Sequence, residues 1–247
     1  DGFLAGSDEE RFSDLKGALL NKRYKAVLFS RGGYGSARLL SKLSEIKSLK
    51  PKPLMGFSDI TALHIFFGRL GWITFHSPNL NGFSELTKSA QDFFFDIITG
   101  VTDFREIEYR AEYRLSGGST EGILAGGNLS IISSLSGTRF DIDLKDRILF
   151  LEDTNEESYR IDRMLTQLSL REDFKYLRGI VFGRFSGLRD KDNLNKILFQ
   201  FSRKAGKPAV SGIDAGHVKD NMILPLNSRC LLDASKRLLL PLEKTFV

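Results

Sequence analysis

Ser58 stands where an apolar run gives way to helix-compatible residues, in Leu54-Met55-Gly56-Phe57-Ser58-Asp59-Ile60-Thr61-Ala62-Leu63-His64. A serine on a sharp strand-to-helix turn exposes its hydroxyl, and the backbone N–H groups that follow lie at a helix N-terminus, where developing negative charge is stabilised. Ser58 is therefore a candidate nucleophile. The local pattern is G-x-S-D rather than G-x-S-x-G, however, and Ser-Asp ahead of a helix is also an ordinary N-cap. Other parts of the chain must decide between the two.

A serine nucleophile needs a base, and the chain has three histidines. His64 lies six residues beyond Ser58 on the expected helix and points away from the turn, so it reads as a packed or surface helix histidine. His76, in Phe75-His76-Ser77-Pro78, either lines a pocket or makes a structural hydrogen bond. His217 sits in the polar loop Asp214-Ala215-Gly216-His217-Val218-Lys219-Asp220-Asn221, where an accessible imidazole is best placed to shuttle a proton. It is the better base, the alternative being a loop-surface histidine.

An imidazole in that role needs an acceptor to hold its tautomer and to stabilise the imidazolium. Glu152 and Asp153 end the apolar strand Arg147-Ile148-Leu149-Phe150-Leu151, so one of them enters a site from the sheet edge. Either carboxylate also suits a helix cap or a pair with Arg160 or Arg163. Metal chemistry fits poorly: there is no His-Glu-x-x-His helix and no paired cysteine, and a solvated loop accounts for Glu152, Asp153, Glu156 and Glu157 more simply than a hard cation does.

The loop Arg31-Gly32-Gly33-Tyr34-Gly35-Ser36 follows the short strand Ala26-Val27-Leu28-Phe29-Ser30. It lacks the third glycine of a dinucleotide fingerprint, and no Gly-Lys-Ser/Thr phosphate loop occurs in the chain. The glycines either permit a tight strand-helix turn or let backbone N–H groups approach a substrate oxyanion.

These groups need a scaffold. The pattern predicts a helix over 8–20, the strand 26–30, a helix over 36–48, a strand ending at the Ser58 turn, a helix to about Leu70 and a strand around 73–75. Such alternation implies a mostly parallel sheet covered by helices, with Ser58 and the glycine loop at one sheet edge. Residues 101–115 are polar and charged and Ser116-Gly117-Gly118-Ser119-Thr120 reads as a turn. The chain accordingly divides into an α/β unit over 1–105, a linker over 106–120 and a second unit over 121–247. In the second unit, Gly126-Gly127-Asn128 reads as a loop, and the apolar runs 222–232 and 237–242 read as a hairpin.

Composition sets the outer bounds. The 247 residues are 41% hydrophobic and 27% charged, an ordinary globular profile with ample material for a core. The net charge of +5 comes from Lys and Arg dispersed among 31 acidic residues, without the dense basic patch of a nucleic-acid binder, though an anionic substrate would suit it. No segment approaches the roughly 18 consecutive apolar residues of a membrane span. The single cysteine, Cys230, excludes an internal disulfide and reads as a buried thiol.

Taken together, Arg31-Gly32-Gly33-Tyr34-Gly35, Gly56-Phe57-Ser58-Asp59-Ile60-Thr61, Gly126-Gly127-Asn128-Leu129, Leu149-Phe150-Leu151-Glu152-Asp153 with Tyr159-Arg160-Ile161-Asp162-Arg163-Met164-Leu165, and Gly216-His217 resemble the LD-carboxypeptidases, serine peptidases of murein recycling. All five blocks occur in the family's order. The resemblance implies a triad of Ser58, Glu152 and His217, and an oxyanion hole from the backbone amides of Gly32, Gly33 and Asp59. It implies an N-terminal α/β domain, a β-rich α+β C-terminal domain, a site between them, no cofactor, and a cytoplasmic homodimer acting on a muropeptide or similar peptide, without nucleic acid or membrane. Arg31, beside the expected oxyanion hole, is the candidate for the substrate's terminal carboxylate, and Asn128 is a second candidate substrate contact. Family members usually carry a β-strand and a β-α segment before the region matching Asp1 to Leu15, so the first sheet is expected to lack them. A sister activity, resembling the microcin C self-immunity peptidase that cuts a peptide-nucleotide, is the nearer alternative. A non-catalytic binder of cell-wall peptides is the other.

Overall fold

Ser7 starts the first helix with a capping box: its hydroxyl accepts the Glu10 amide and the Glu10 carboxylate accepts the Ser7 amide. That helix, α1 (Asp8–Leu20), buries Leu15 and Leu19. The computed structural model describes residues 2–245. After α1 come β1 (Val27–Leu28), α2 (Ser36–Leu43), β2 (Leu54–Gly56), α3 (Thr61–Arg69), β3 (Thr74–His76) and α4 (Lys88–Ile98). Then follow β4 (Tyr109–Arg110), β5 (Tyr113–Ser116), β6 (Ser119–Asn128), α5 (Leu129–Leu135), β7 (Arg147–Thr154), α6 (Ser158–Ser169), β8 (Gly179–Ser186) and α7 (Lys191–Ala205). The chain closes through β9 (Ala209–Ser211), β10 (Leu224–Leu226), β11 (Arg229–Asp233) and β12 (Leu238–Pro241).

Two sheets organise these elements. The first has the order β1-β2-β3-β10, parallel except for β10. The second has the order β4-β12-β11-β6-β7-β8-β9-β5, with a parallel centre of β6 to β9 and antiparallel flanks. This is the mixed α/β architecture the sequence predicts, a parallel-sheet α/β half joined to a β-rich half.

The pleat sends alternate residues to opposite faces, and each face has its own core. Leu149 and Leu151 of β7 join the helices α2, α3, α5 and α6 in one apolar cluster, whereas Ile148 and Phe150 join Met55, Phe75 and Leu224 in another. Helix α3 is buried from Thr61 to Phe67, which matches its apolar sequence on all sides. It packs between the first sheet and β6 with α5, so the two sheets share an interior. The Asn128 amide donates to the Thr61 hydroxyl at 2.9 Å across that contact.

Three expectations need correction. The segment 106–120 is no linker: β4 pairs with β12 and β5 with β9, both at the rim of the second sheet, where charged residues face solvent. Tyr109 is fully buried within it, and its hydroxyl donates to the Ile223 carbonyl at 2.6 Å. Gly126-Gly127-Asn128 continues β6 in register with Phe150, Leu151 and Glu152 rather than forming a loop. The run 222–232 is broken at Asn227, whose φ of 63° turns the chain, so β10 joins the first sheet while β11 pairs with β12 in the second.

Candidate active site

The parallel strands aim their C-terminal ends at one cavity of about 400 Å³, lined by Arg31, Gly32, Phe57, Ser58, Asn79 and His217 among others. Ser58 enters it from the turn between β2 and α3 with φ 65°, a left-handed conformation that is strained for a serine. Phe57 before it is extended, and its amide donates to Asn79 Oδ1 at 3.3 Å. The glycine loop fits against this turn. A Cβ on Gly32 would lie 3.0 Å from Ser58 Cβ and 3.3 Å from the Phe57 carbonyl oxygen, so any side chain here would crowd the serine turn. Among the described residues, the Gly32 and Gly33 amides donate to no protein acceptor.

Asp59 ties the two loops together. Its buried carboxylate accepts the Ser36 amide at 2.8 Å, capping α2, whose own N-cap residue Gly35 has no side chain to do so.

His217 reaches the site from the loop between β9 and β10. Arg184 Nε donates to Asp214 at 2.8 Å, the Met222 amide to the Asp214 carbonyl at 2.7 Å and the Gly216 amide to Asn221 Oδ1 at 2.9 Å, which fixes the loop on both sides of the imidazole. Its Nδ1–H donates to Glu152 Oε2 at 2.8 Å, and its Nε2 lies 3.2 Å from Ser58 Oγ. With Nδ1–H committed to a carboxylate, Nε2 is the acceptor left for the serine hydroxyl. Phe57 packs its ring 4.7 Å from the imidazole and limits its rotation.

Glu152 and Asp153 part company because successive residues of β7 face opposite sides. Glu152 is fully buried beside His217. Burial pushes its carboxyl up, but the hydrogen bond from His217 and the nearby imidazole of His76 more than offset this and leave it at about 2. A Cβ on Gly216 would meet Glu152 Oε2 at 2.9 Å, so the glycine before His217 is what lets the loop close over the carboxylate. Asp153 instead accepts the Ser130 amide and hydroxyl at 2.9 and 2.7 Å and caps α5, while burial raises its own carboxyl.

Asn128 does not line the cavity. It is buried, its Nδ2 donates to Asp153 at 2.9 Å and its Oδ1 accepts the Ile131 amide at 3.2 Å, two bonds that serve the start of α5. His64 is buried on α3, donating Nε2–H to the Gly56 carbonyl at 2.9 Å. Residues that sequence reading passed over also line the cavity, notably Asn79, Glu85, Lys219 and Asn221. Their signal was positional: Pro78-Asn79 follows the strand parallel to the Ser58 strand and must emerge at the same edge.

A hydroxyl, an imidazole and a buried carboxylate in one hydrogen-bonded line, beside unpaired backbone amides, are equipped for acyl transfer. A family model of the LD-carboxypeptidase N-terminal domain matches residues 1–77, and one of the LD-carboxypeptidase C-terminal domain matches residues 121–232. The chain belongs to the LD-carboxypeptidase family. It is 34% identical to a probable murein peptide carboxypeptidase of Bacillus subtilis, over 96% of this chain and 77% of that protein. Its fold is similar to that of a muramoyltetrapeptide carboxypeptidase from Oxalobacter formigenes, with a TM-score of 0.81, 30% identity, and coverage of 96% of this chain and 84% of the other. An MccF-like protein from Bacillus anthracis gives a TM-score of 0.84 at 25% identity, covering 99% of this chain and 84% of the other. Among the described residues, no group of three or more His, Cys, Asp or Glu is arranged to hold a metal ion, and no helix is long and apolar enough to cross a membrane.

Proposed function

We propose that this LD-carboxypeptidase is a serine peptidase that hydrolyses the L,D-amide bond before a terminal D-alanine in muropeptide tetrapeptides. The observation that carries the proposal is the line Ser58 Oγ, His217, Glu152, with contacts of 3.2 and 2.8 Å, opening into the cavity beside Gly32. His217 takes the Ser58 proton as Oγ attacks the carbonyl carbon, and the Gly32, Gly33 and Asp59 amides are the candidate donors to the tetrahedral oxyanion. Collapse of the intermediate breaks the C–N bond, and the proton on His217 goes to the departing amine of D-alanine. Water then adds to the acyl-serine by the same proton path, releasing the shortened peptide and restoring the hydroxyl.

A carboxypeptidase must also bind a terminal carboxylate. Arg31 is exposed on the cavity wall and has no acidic partner among the described residues, which suits that contact. Lys219 adds a second cation, and the Glu85 carboxylate, which also lines the cavity, suits an ammonium group of the peptide. The resemblance extends the proposal to cell-wall recycling by a cytoplasmic homodimer.

The test is hydrolysis read by mass spectrometry: release of D-alanine from a tetrapeptide with an L,D-terminal bond, of D-alaninamide from its C-terminal amide, and cleavage of the acyl linkage of a peptide-nucleotide. The proposal expects the free acid to be the best substrate, and Arg31→Ala to weaken the free acid more than the amide. Preference for the peptide-nucleotide would replace the substrate while keeping the chemistry. Equal loss on acid and amide would remove Arg31 from carboxylate recognition.

A further inference from the structure

Three polar atoms next to the proposed triad are buried without a hydrogen-bond partner: Glu152 Oε1, His76 Nδ1 and His76 Nε2. They occupy one place. His76 Nε2 lies 3.9 Å from Glu152 Oε1, and both side chains are fully buried. Leaving a carboxylate oxygen in the interior without a donor is strongly unfavourable, and a ring N–H is the donor that faces it. The His76 ring is held there by Phe150, edge-on with centroids 5.0 Å apart, and by Phe57 at 5.7 Å, the ring that also packs on His217.

The backbone explains why the imidazole stays in register with the site. His76 ends β3, where it pairs with Gly56 on one side and Leu224 on the other. Gly56 lies two residues before Ser58, and Leu224 follows the loop that carries His217. His76 therefore sits on the strand between the two segments that supply the hydroxyl and the imidazole, with Glu152 facing it from the second sheet and His64 from α3. His76 does not line the cavity and is out of substrate's reach.

We propose that His76 is a positioning residue of the proposed triad: its Nε2 stands 3.9 Å from Glu152 Oε1, beyond hydrogen-bond distance in this structure, and closing that gap lets Nε2–H donate to Oε1 so that Oε2 stays directed at His217. The inference rests on the Ser58–His217–Glu152 reading. A carboxylate held by one oxygen is free to swing about its terminal torsion, whereas a donor on each oxygen fixes the plane. A second donor also favours the ionised carboxylate, so that the proton received by His217 remains on the imidazole during attack.

The experiment compares His76→Phe, His76→Gln and His76→Asn with wild type and Ser58→Ala in D-alanine release from the tetrapeptide, with near-ultraviolet circular dichroism as the check on folding. Phe keeps the ring and removes the donor, Gln places an amide N–H near the Nε2 position, and Asn falls short of it. His76→Phe is expected to lower kcat about 10- to 100-fold, the range for a hydrogen bond to a charged group, with KM within about twofold. His76→Gln is expected to recover kcat to within about threefold of wild type. A wild-type kcat in folded His76→Phe, a loss confined to KM, or a His76→Gln as slow as His76→Phe overturns the role. If His76→Phe fails to fold, the pair Gln and Asn decides: Gln faster by about tenfold supports it, and equal rates overturn it. Wild-type turnover in Ser58→Ala would overturn the triad reading and this inference together, whereas a dead Ser58→Ala beside an unimpaired His76→Phe overturns the inference alone.

Discussion

At the serine turn the backbone does the holding: Ser58 sits at φ 65°, half-buried, pressed by the bare Gly32 backbone and anchored through Phe57 to Asn79. Across the cavity the side chains do it. Glu152 lies within β7, where the pairing with β8 shifts register, and its position comes from complete burial between the sheets, the close approach of Gly216 and the imidazoles of His217 and His76. The first arrangement stores local strain to expose a hydroxyl, and the second excludes water to fix a charge. Changes on the serine side should therefore move the rate with modest effects on stability, while changes on the carboxylate side should move both.

The largest effect expected is from His217→Ala, which removes the link between the two regions. Loss of about four to six orders of magnitude in kcat/KM follows if the three groups act as a unit. Removal of the imidazole also leaves the fully buried Glu152 carboxylate without its hydrogen-bond partner, so the melting temperature should fall as well. Glu152→Gln comes next, with a fall of about 10³-fold as the amide ceases to favour the imidazolium, accompanied by a lower melting temperature. A larger kinetic loss without any thermal change would show that the buried Glu152 carboxylate is not part of what holds the fold together.

Gly32→Ala tests the serine side by crowding. The new Cβ would lie 3.0 Å from Ser58 Cβ, so the serine must give way slightly, and that small misplacement at the reacting atoms should cost about tenfold in kcat. Unchanged kcat would show that the glycine loop does not press on the serine.

The smallest effect is on stability and depends on pH. Burial holds His64 down at about 3, against 6.5 for a free imidazole, although the Gly56 carbonyl acts in the other direction. Below 6.5 the unfolded chain binds a proton that the folded chain refuses, so stability is full above that pH and falls as pH drops towards 3. His64→Gln keeps a donor to Gly56 and removes the titration. Between roughly pH 6 and 4, its denaturant-derived stability should fall less steeply than wild type by up to about 1.4 kcal/mol per pH unit. Parallel slopes would contradict the buried neutral imidazole.

The two regions also differ in how far they could be read from sequence. The serine turn is local: Gly56-Phe57-Ser58 after an apolar strand carries its geometry within a few residues, as does the glycine loop. The carboxylate is not. Glu152 and Asp153 are chemically equivalent at the end of one strand, and only the pleat relative to the two cores decides that the first faces His217 and the second caps α5. Asn128 stands next to Glu152 across the β6-β7 ladder, yet its side chain is spent on Asp153 and Ile131, a fact no spacing reveals. Rim strands such as β4 are polar enough to pass for a linker, because only one face of each needs to be apolar. The swap of β10 into the first sheet hinges on one left-handed residue, Asn227, inside an otherwise apolar run.

Everything proposed for the site depends on the Ser58 hydroxyl being the nucleophile. The most direct test of that role is the turnover of Ser58→Ala on the tetrapeptide under conditions where wild type releases D-alanine. The account predicts a folded protein that binds the peptide and whose kcat has fallen by about four to six orders of magnitude. Release of D-alanine by Ser58→Ala within tenfold of the wild-type rate would contradict it.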